Sequence, residues 1–199
     1  MARAADMPGW IRAARPADVP HIVRMIRGLA THEGRPELAV CTEAAIASAL
    51  FGTPARAEAV ILLDDSLARD PVGGPPVRHD AIVGYAWFYI LVPTFTARPV
   101  LYLEDLFVDA AARGRGLGGR FMAWLAAEAI ERGCVGVEWT VREDNPRAIA
   151  FYESLGAVRK TGALAYRLSD SNLERLAHGA SPDTSGPQSV RAELSGTDS

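Results

Sequence analysis

Cysteine is scarce in this chain, with two residues in 199, Cys41 and Cys134. That excludes a disulfide framework and suits a reducing compartment. The two thiols and the four histidines lie scattered, without the spacing of metal ligands, so no metal is expected. No apolar run approaches the roughly 18 residues that a membrane span needs. The first residues have no apolar core of the signal-peptide kind. Formal charge is only −3, which gives no broad field to draw in nucleic acid. No internal repeat is present. A cytoplasmic protein without membrane or nucleic-acid partners is the expectation. What is there is 49% hydrophobic and long enough for one domain with a full core.

Periodicity and punctuation organise the chain. Residues 1–9 read as a flexible leader, 10–169 as one folded domain, and 170–199 as a disordered tail with at most a short helix at Leu173–Leu176. Trp10–Arg15 reads as a strand. Asp18 is an N-cap candidate, Pro20 sits in the first turn, and Ile22, Met25, Ile26 and Leu29 form a helical stripe. Thr42 caps a second helix that runs to Phe51. Residues 57–64 and 81–92 read as paired strands, separated by an exposed loop at Asp70–Pro76. Leu101–Val108 is a strand. Leu117–Arg132 is a helix with Leu117, Phe121, Trp124 and Leu125 on its buried face, and Val135–Val141 is a strand. Asn145 caps a further helix, with Pro146 in its first position and Gly156 as its stop. Val158–Lys160 and Ala163–Leu168 suggest a closing hairpin. The order is that of an α/β protein.

The most informative stretch is Arg113-Gly114-Arg115-Gly116-Leu117-Gly118, between the strand ending at Val108 and the helix opening at Leu117. Glycines let backbone approach an anion closely, because no Cβ intervenes. The free N–H groups of the first helical turn and the helix dipole favour negative charge there. Arg113, Arg115 and Arg120 add cations suited to phosphate. The P-loop reading fails, because Gly118-Gly119-Arg120 supplies neither the Lys nor the hydroxyl of that motif. Gly114-x-Gly116-x-x-Gly119, with Glu138 some way downstream, matches the letters of a dinucleotide fingerprint. It lies past mid-chain, however, and not in an opening βαβ unit.

Arg113-x-x-Gly116-x-Gly118 resembles the acetyl-CoA pyrophosphate loop of the GNAT superfamily of N-acetyltransferases. Asn145-Pro146-Arg147-Ala148-Ile149-Ala150-Phe151-Tyr152-Glu153-Ser154-Leu155-Gly156-Ala157 resembles that superfamily's second signature, in the family's order and spacing. Leu101-Tyr102-Leu103-Glu104-Asp105 is similar to the run preceding the loop in the diamine and thialysine acetyltransferase branch. Ala30-Thr31-His32-Glu33 falls where that branch has an aromatic–Glu pair, with His32 as a departure. The resemblance covers roughly residues 10–169. It implies the GNAT fold, a mixed, mostly antiparallel sheet of six to seven strands flanked by about four helices. It also implies acetyl-CoA as co-substrate, a small amine as acceptor, and a homodimer.

Acetyl transfer from a thioester to an amine needs a group that takes a proton from the amine and a donor for the leaving sulfur. It also needs N–H groups near the developing oxyanion. Glu104 and Asp105 interrupt an apolar strand, where ionised acids need a purpose or a partner. Neighbours on a regular strand face opposite sides, so both reach one cleft only if a bulge intervenes. The resemblance implies that Glu104 is the general base acting through water and that Asp105 helps hold the amine. Tyr152 shares a helical face with Ala148, Ile149 and Leu155, and by resemblance it is the general acid. The resemblance further implies that Phe107 and Val108 offer main-chain groups to the cofactor's pantetheine arm, that Asn145 contacts that arm, and that Arg113, Gly114, Arg115, Gly116, Leu117 and Gly118 hold the pyrophosphate. Glu33 ends a helix, where the dipole disfavours a carboxylate, and is a candidate substrate ligand. Trp87 and Tyr89 alternate on one strand as candidate walls of the amine pocket. The favoured acceptor is a polyamine, diamine or lysine-like amino acid. A peptide or protein amine, and a non-catalytic acyl-CoA-binding regulator, are the alternatives.

Overall fold

Glu58-Ala59-Val60-Ile61-Leu62-Leu63 is nearly all apolar because both of its faces are covered, and this strand lies second in a five-stranded sheet. The strands run β1 (Ile11–Ala13), β2 (Glu58–Leu63), β3 (Ile82–Leu91), β4 (Val100–Val108) and β5 (Val137–Trp139), in sequence order across the sheet. The first three junctions are antiparallel, and β4 pairs with β5 in parallel. The computed structural model describes residues 7–64, 82–168 and 170–181. The leader up to residue 6, the loop at 70–76 and the tail beyond 181 lie outside them.

Alternation sorts the strand residues between two cores. Ala59, Ile61, Tyr85 and Phe107 face helices α1 (Val19–His32) and α2 (Glu43–Phe51), against Ile22, Val23, Met25, Ile46 and Leu50. Val60, Leu62, Ala86, Phe88, Leu101 and Leu103 face α3 (Leu117–Glu131), against Leu117, Phe121, Met122 and Leu125. Thr42 caps α2 through Ala45 N–H. Asp18 precedes α1 but makes no capping bond to it. Its carboxylate instead takes both Arg12 nitrogens, at 2.6 and 2.7 Å, and Arg15 N–H at 2.7 Å. Asn145 caps α4 (Pro146–Ser154) through Ala148 N–H at 3.1 Å, and Gly156 follows at φ +85°.

The described residues up to Gly156 form one unit and those from Ala157 a second. The second holds α5 (Asp170–Ala177), longer than the short helix expected there, so the structure has five α-helices among the described residues. The sheet has five strands, not six or seven, because Val158–Lys160 and Ala163–Leu168 form no strand. Alternation specifies a face for a strand but not the strand that would pair with it. No helix among the described residues is long and apolar enough to cross a membrane.

Candidate active site

The site grows from an irregularity in β4. Trp87 pairs with Asp105 and Phe88 with Leu103, so Glu104 is the extra residue of a β-bulge. The bulge shifts the alternation by one. Leu101 and Leu103 before it, and Leu106 and Val108 after it, pack on the α3 side. Glu104 and Asp105 both end up on the α1 side, where tyrosines of β3 meet them. Tyr85 donates its hydroxyl to Asp105 Oδ2 at 2.8 Å, and Tyr89 donates to Glu104 Oε2 at 3.1 Å. Two neighbouring carboxylates therefore look into one space.

The β4–β5 ladder comprises three pairs and ends at Leu103 with Trp139. Beyond it, Glu104–Val108 on one side and Thr140, Val141 and Arg142 on the other line a cavity of about 620 Å³. The same cavity is lined by His32 and Glu33 from the end of α1, and by Gly114, Gly116, Leu117, Gly118 and Gly119 from the glycine loop. Asn145, Arg147, Ala148, Phe151 and Tyr152 from the α4 region complete it.

The glycine loop has the form of an anion cradle. Gly114 and Gly116 take φ of +79° and +75°, and a Cβ on either would meet nothing within 4 Å. Gly116 is the N-cap of α3 and the first intrahelical bond is from Arg120 N–H to Gly116 O. The N–H groups of Leu117, Gly118 and Gly119 thus stand without intrahelical acceptors at the positive end of the dipole. Gly118 lies against the Phe151 ring, where a Cβ would come within 3.4 Å. The loop residues fit a diphosphate held by backbone donors.

The arginines in and beside the loop also have partners within the protein. Arg115 gives Nη1 to Asp64 Oδ2 at 2.6 Å, and Asp64 is buried at the end of β2. Arg120 stacks over the Trp10 ring at 4.6 Å. Arg113 gives Nε to Val108 O at 2.9 Å, lies 5.6 Å from the Phe107 ring centroid, and donates Nη1 to His32 Nε2 at 3.3 Å. Each guanidinium braces the loop or its surroundings, beside the main-chain N–H groups of the cradle. Asp64 was invisible in the sequence as a loop support, because its partner lies far along the chain.

Tyr152 packs between Trp139 and Phe151, with ring centroids 4.8 and 5.1 Å away. Burial raises its phenol above the ordinary value, so it holds its proton at neutral pH. Asp105 is pushed up by burial and by the neighbouring charges of Glu104 and Glu33, while the Tyr85 hydroxyl opposes the rise. Tyr89, desolvated and beside Glu104, is pushed up to about 12. Phe107 is buried on the α1 side and Val108 half-buried on the α3 side. Among the described residues no three or more His, Cys, Asp or Glu side chains are placed to hold a metal ion.

A family profile described as "Acetyltransferase (GNAT) family" matches residues 45–157. An L-ornithine N5-acetyltransferase of Arabidopsis thaliana is 32% identical over 178 residues, covering 74% of this chain and 78% of that protein. A thialysine N-epsilon-acetyltransferase of Sus scrofa is 32% identical over 147 residues, covering 74% and 82%. Among solved structures, an integron cassette protein from the mobile metagenome of V. cholerae aligns with a TM-score of 0.64 at 27% identity, over 84% of this chain and 96% of that one. An aminoglycoside acetyltransferase from a soil metagenome shares the fold, with a TM-score of 0.61 at 18% identity over 80% and 95%. The chain belongs to the GNAT acetyltransferase family. It is an acetyl-CoA-dependent N-acetyltransferase, and the resemblance to the diamine and thialysine branch holds.

Proposed function

We propose that this enzyme acetylates a primary amine of a small dibasic molecule, a diamine, a polyamine or a lysine-like amino acid. The observation that carries this reading is the gathering of Glu33, Glu104 and Asp105 around the cavity that also holds the glycine loop and Tyr152. Three carboxylates there suit a substrate with two positive charges. Curated relatives named for ornithine and thialysine, each bearing two amino groups, support it.

Acetyl-CoA supplies an acetyl thioester, whose C–S bond is exchanged for a C–N bond to the amine with release of a thiol and one net proton. The loop N–H groups from Gly114 to Gly118 hold its diphosphate, with Asn145 and the main chain of Phe107 and Val108 along its arm. Asp105 and Glu33 hold the substrate's ammonium groups. An alkylamine titrates near 10.4, so only about one molecule in 10³ is neutral at pH 7. Glu104, exposed to solvent, takes the proton directly or through water. Tyr152 presents its hydroxyl to the departing sulfur and regains its proton from solvent.

The test is thiol release from acetyl-CoA across spermidine, putrescine, thialysine, lysine, ornithine and a peptide amine. Turnover on one small dibasic amine, with kcat falling about 10² to 10⁴-fold in Tyr152→Phe, is the expected result. Turnover on the peptide alone moves the enzyme to protein substrates. Tight acetyl-CoA binding without turnover on any amine makes it an acyl-CoA sensor.

A further inference from the structure

We propose that Tyr85 is a positioning residue of the amine site, its buried hydroxyl fixing Asp105 as the anion that receives a substrate ammonium while Glu104 remains free to move protons. This rests on the amine-acetylation reading above.

Tyr85 is fully buried on the α1 side of β3 and is absent from the cavity lining, whereas Asp105 lines the cavity. The phenol therefore reaches the substrate only through Asp105, to which it is bonded at 2.8 Å. A buried tyrosine needs one acceptor, and a backbone carbonyl or an amide would serve. An acid in this position is costly, because it is desolvated and lies near Glu104 and Glu33. Such an arrangement makes sense where the negative charge is itself used.

The bulge makes the division of labour possible. Tyr85 and Tyr89 stand four residues apart on β3, yet they meet adjacent acids, because the extra residue in β4 puts Glu104 and Asp105 on one face. The two pairs differ in setting. Tyr85–Asp105 sits at the edge of the core, where the oxygen is held in one place. In the Tyr89–Glu104 pair the carboxylate is exposed to solvent and the bond is longer. The groups that face the inner pair are Glu104 on β4, Glu33 at the end of α1, and the Cys41 thiol between α1 and α2. Burial and the adjoining Asp105 keep Tyr85 neutral, hence a donor, at every pH of interest.

The experiment compares wild type, Tyr85→Phe, Asp105→Asn and the double variant, using thiol-release kinetics and calorimetric amine binding between pH 5 and 8. Tyr85→Phe keeps the ring in the core, and its fold is checked by circular dichroism and thermal melting. A hydrogen bond to a charged acceptor is worth about 10- to 100-fold in an equilibrium, so amine KM and Kd are expected to rise by about that factor, with kcat changing far less. The acid limb of kcat/KM is expected to move to higher pH, since the phenol opposes the rise of the Asp105 carboxyl. In the Asp105→Asn background the same change is expected to be nearly silent. Unchanged KM, Kd and acid limb in Tyr85→Phe overturn this proposal alone, as does an equal loss in both backgrounds. A wild-type enzyme that neither binds nor acetylates any amine overturns this proposal together with the function it rests on.

Discussion

Asp18→Asn tests how the first strand is tied to the helix that delivers Glu33. Asp18 is 1% exposed and receives three donors, two from the Arg12 guanidinium and one from Arg15 N–H. The amide cannot accept all three in the same plane, and it removes the charge opposite a guanidinium that is 18% exposed. Breaking a buried pair costs about 3–5 kcal/mol, and the partial exposure of Arg12 places the expected loss near 3 kcal/mol. In urea this is a midpoint shift of roughly 1 M or more. The pH dependence gives the sharper check. Burial raises the Asp18 carboxyl, but the Arg12 and Arg15 donors outweigh it and hold the group below 3.8. A folded-state value below the unfolded one means that the stabilisation is complete above about pH 4 and disappears as pH falls through the folded value. Urea melts followed by tryptophan fluorescence at pH 7, 4 and 2.5 are expected to show the gap between wild type and variant closing toward acid. An equal midpoint at pH 7, or a gap that does not change with pH, refutes the reasoning.

Two further substitutions probe the cofactor half of the site. A Cβ at Gly84 would overlap the carbonyl oxygen of Phe107, a backbone atom that cannot rotate away. Gly84→Ala is expected to lose about 1–3 kcal/mol in urea melts and, by displacing the end of β4, at least about tenfold in kcat/KM. Asp64→Asn releases Arg115, itself 52% exposed, from its 2.6 Å ion pair with the buried carboxylate. Calorimetry is expected to show acetyl-CoA binding weakened roughly fivefold, about 1 kcal/mol, with kcat at saturation unchanged.

Local features of the chain were legible before any coordinates. Glycines at 114 and 116, a cap at Asn145 with Pro146 behind it, and a cap at Thr42 act over a few residues, and each stands where the sequence places it. The strand core was legible for the same reason, since alternation reports which residues share a face. What sequence could not supply was pairing across distance. The Tyr85–Asp105 bond spans 20 residues and the Arg115–Asp64 pair 51, and neither has a local signature. Asp18 carries the residue type of a cap, but Arg12 claims its oxygens first. Val158–Lys160 and Ala163–Leu168 read as strands in the sequence, yet neither forms one. The bulge at Glu104 lay between these cases: two adjacent acids on an apolar strand made it a requirement for sharing a cleft, but only the register of β3 against β4 fixes it.

A parallel ladder that stops at Leu103 and Trp139 leaves Glu104–Val108 as an edge strand inside the molecule. Peripheral edges are guarded from aggregation by charge, because an added strand would bury it. Here the guards are Glu104 and Asp105, standing beside apolar Leu106, Phe107 and Val108. An intruding strand that zipped the cleft shut would thus have to lie beside the carboxylates proposed to meet the amine. Neutralising them would strip the charge from this inner edge as well as from the proposed amine site.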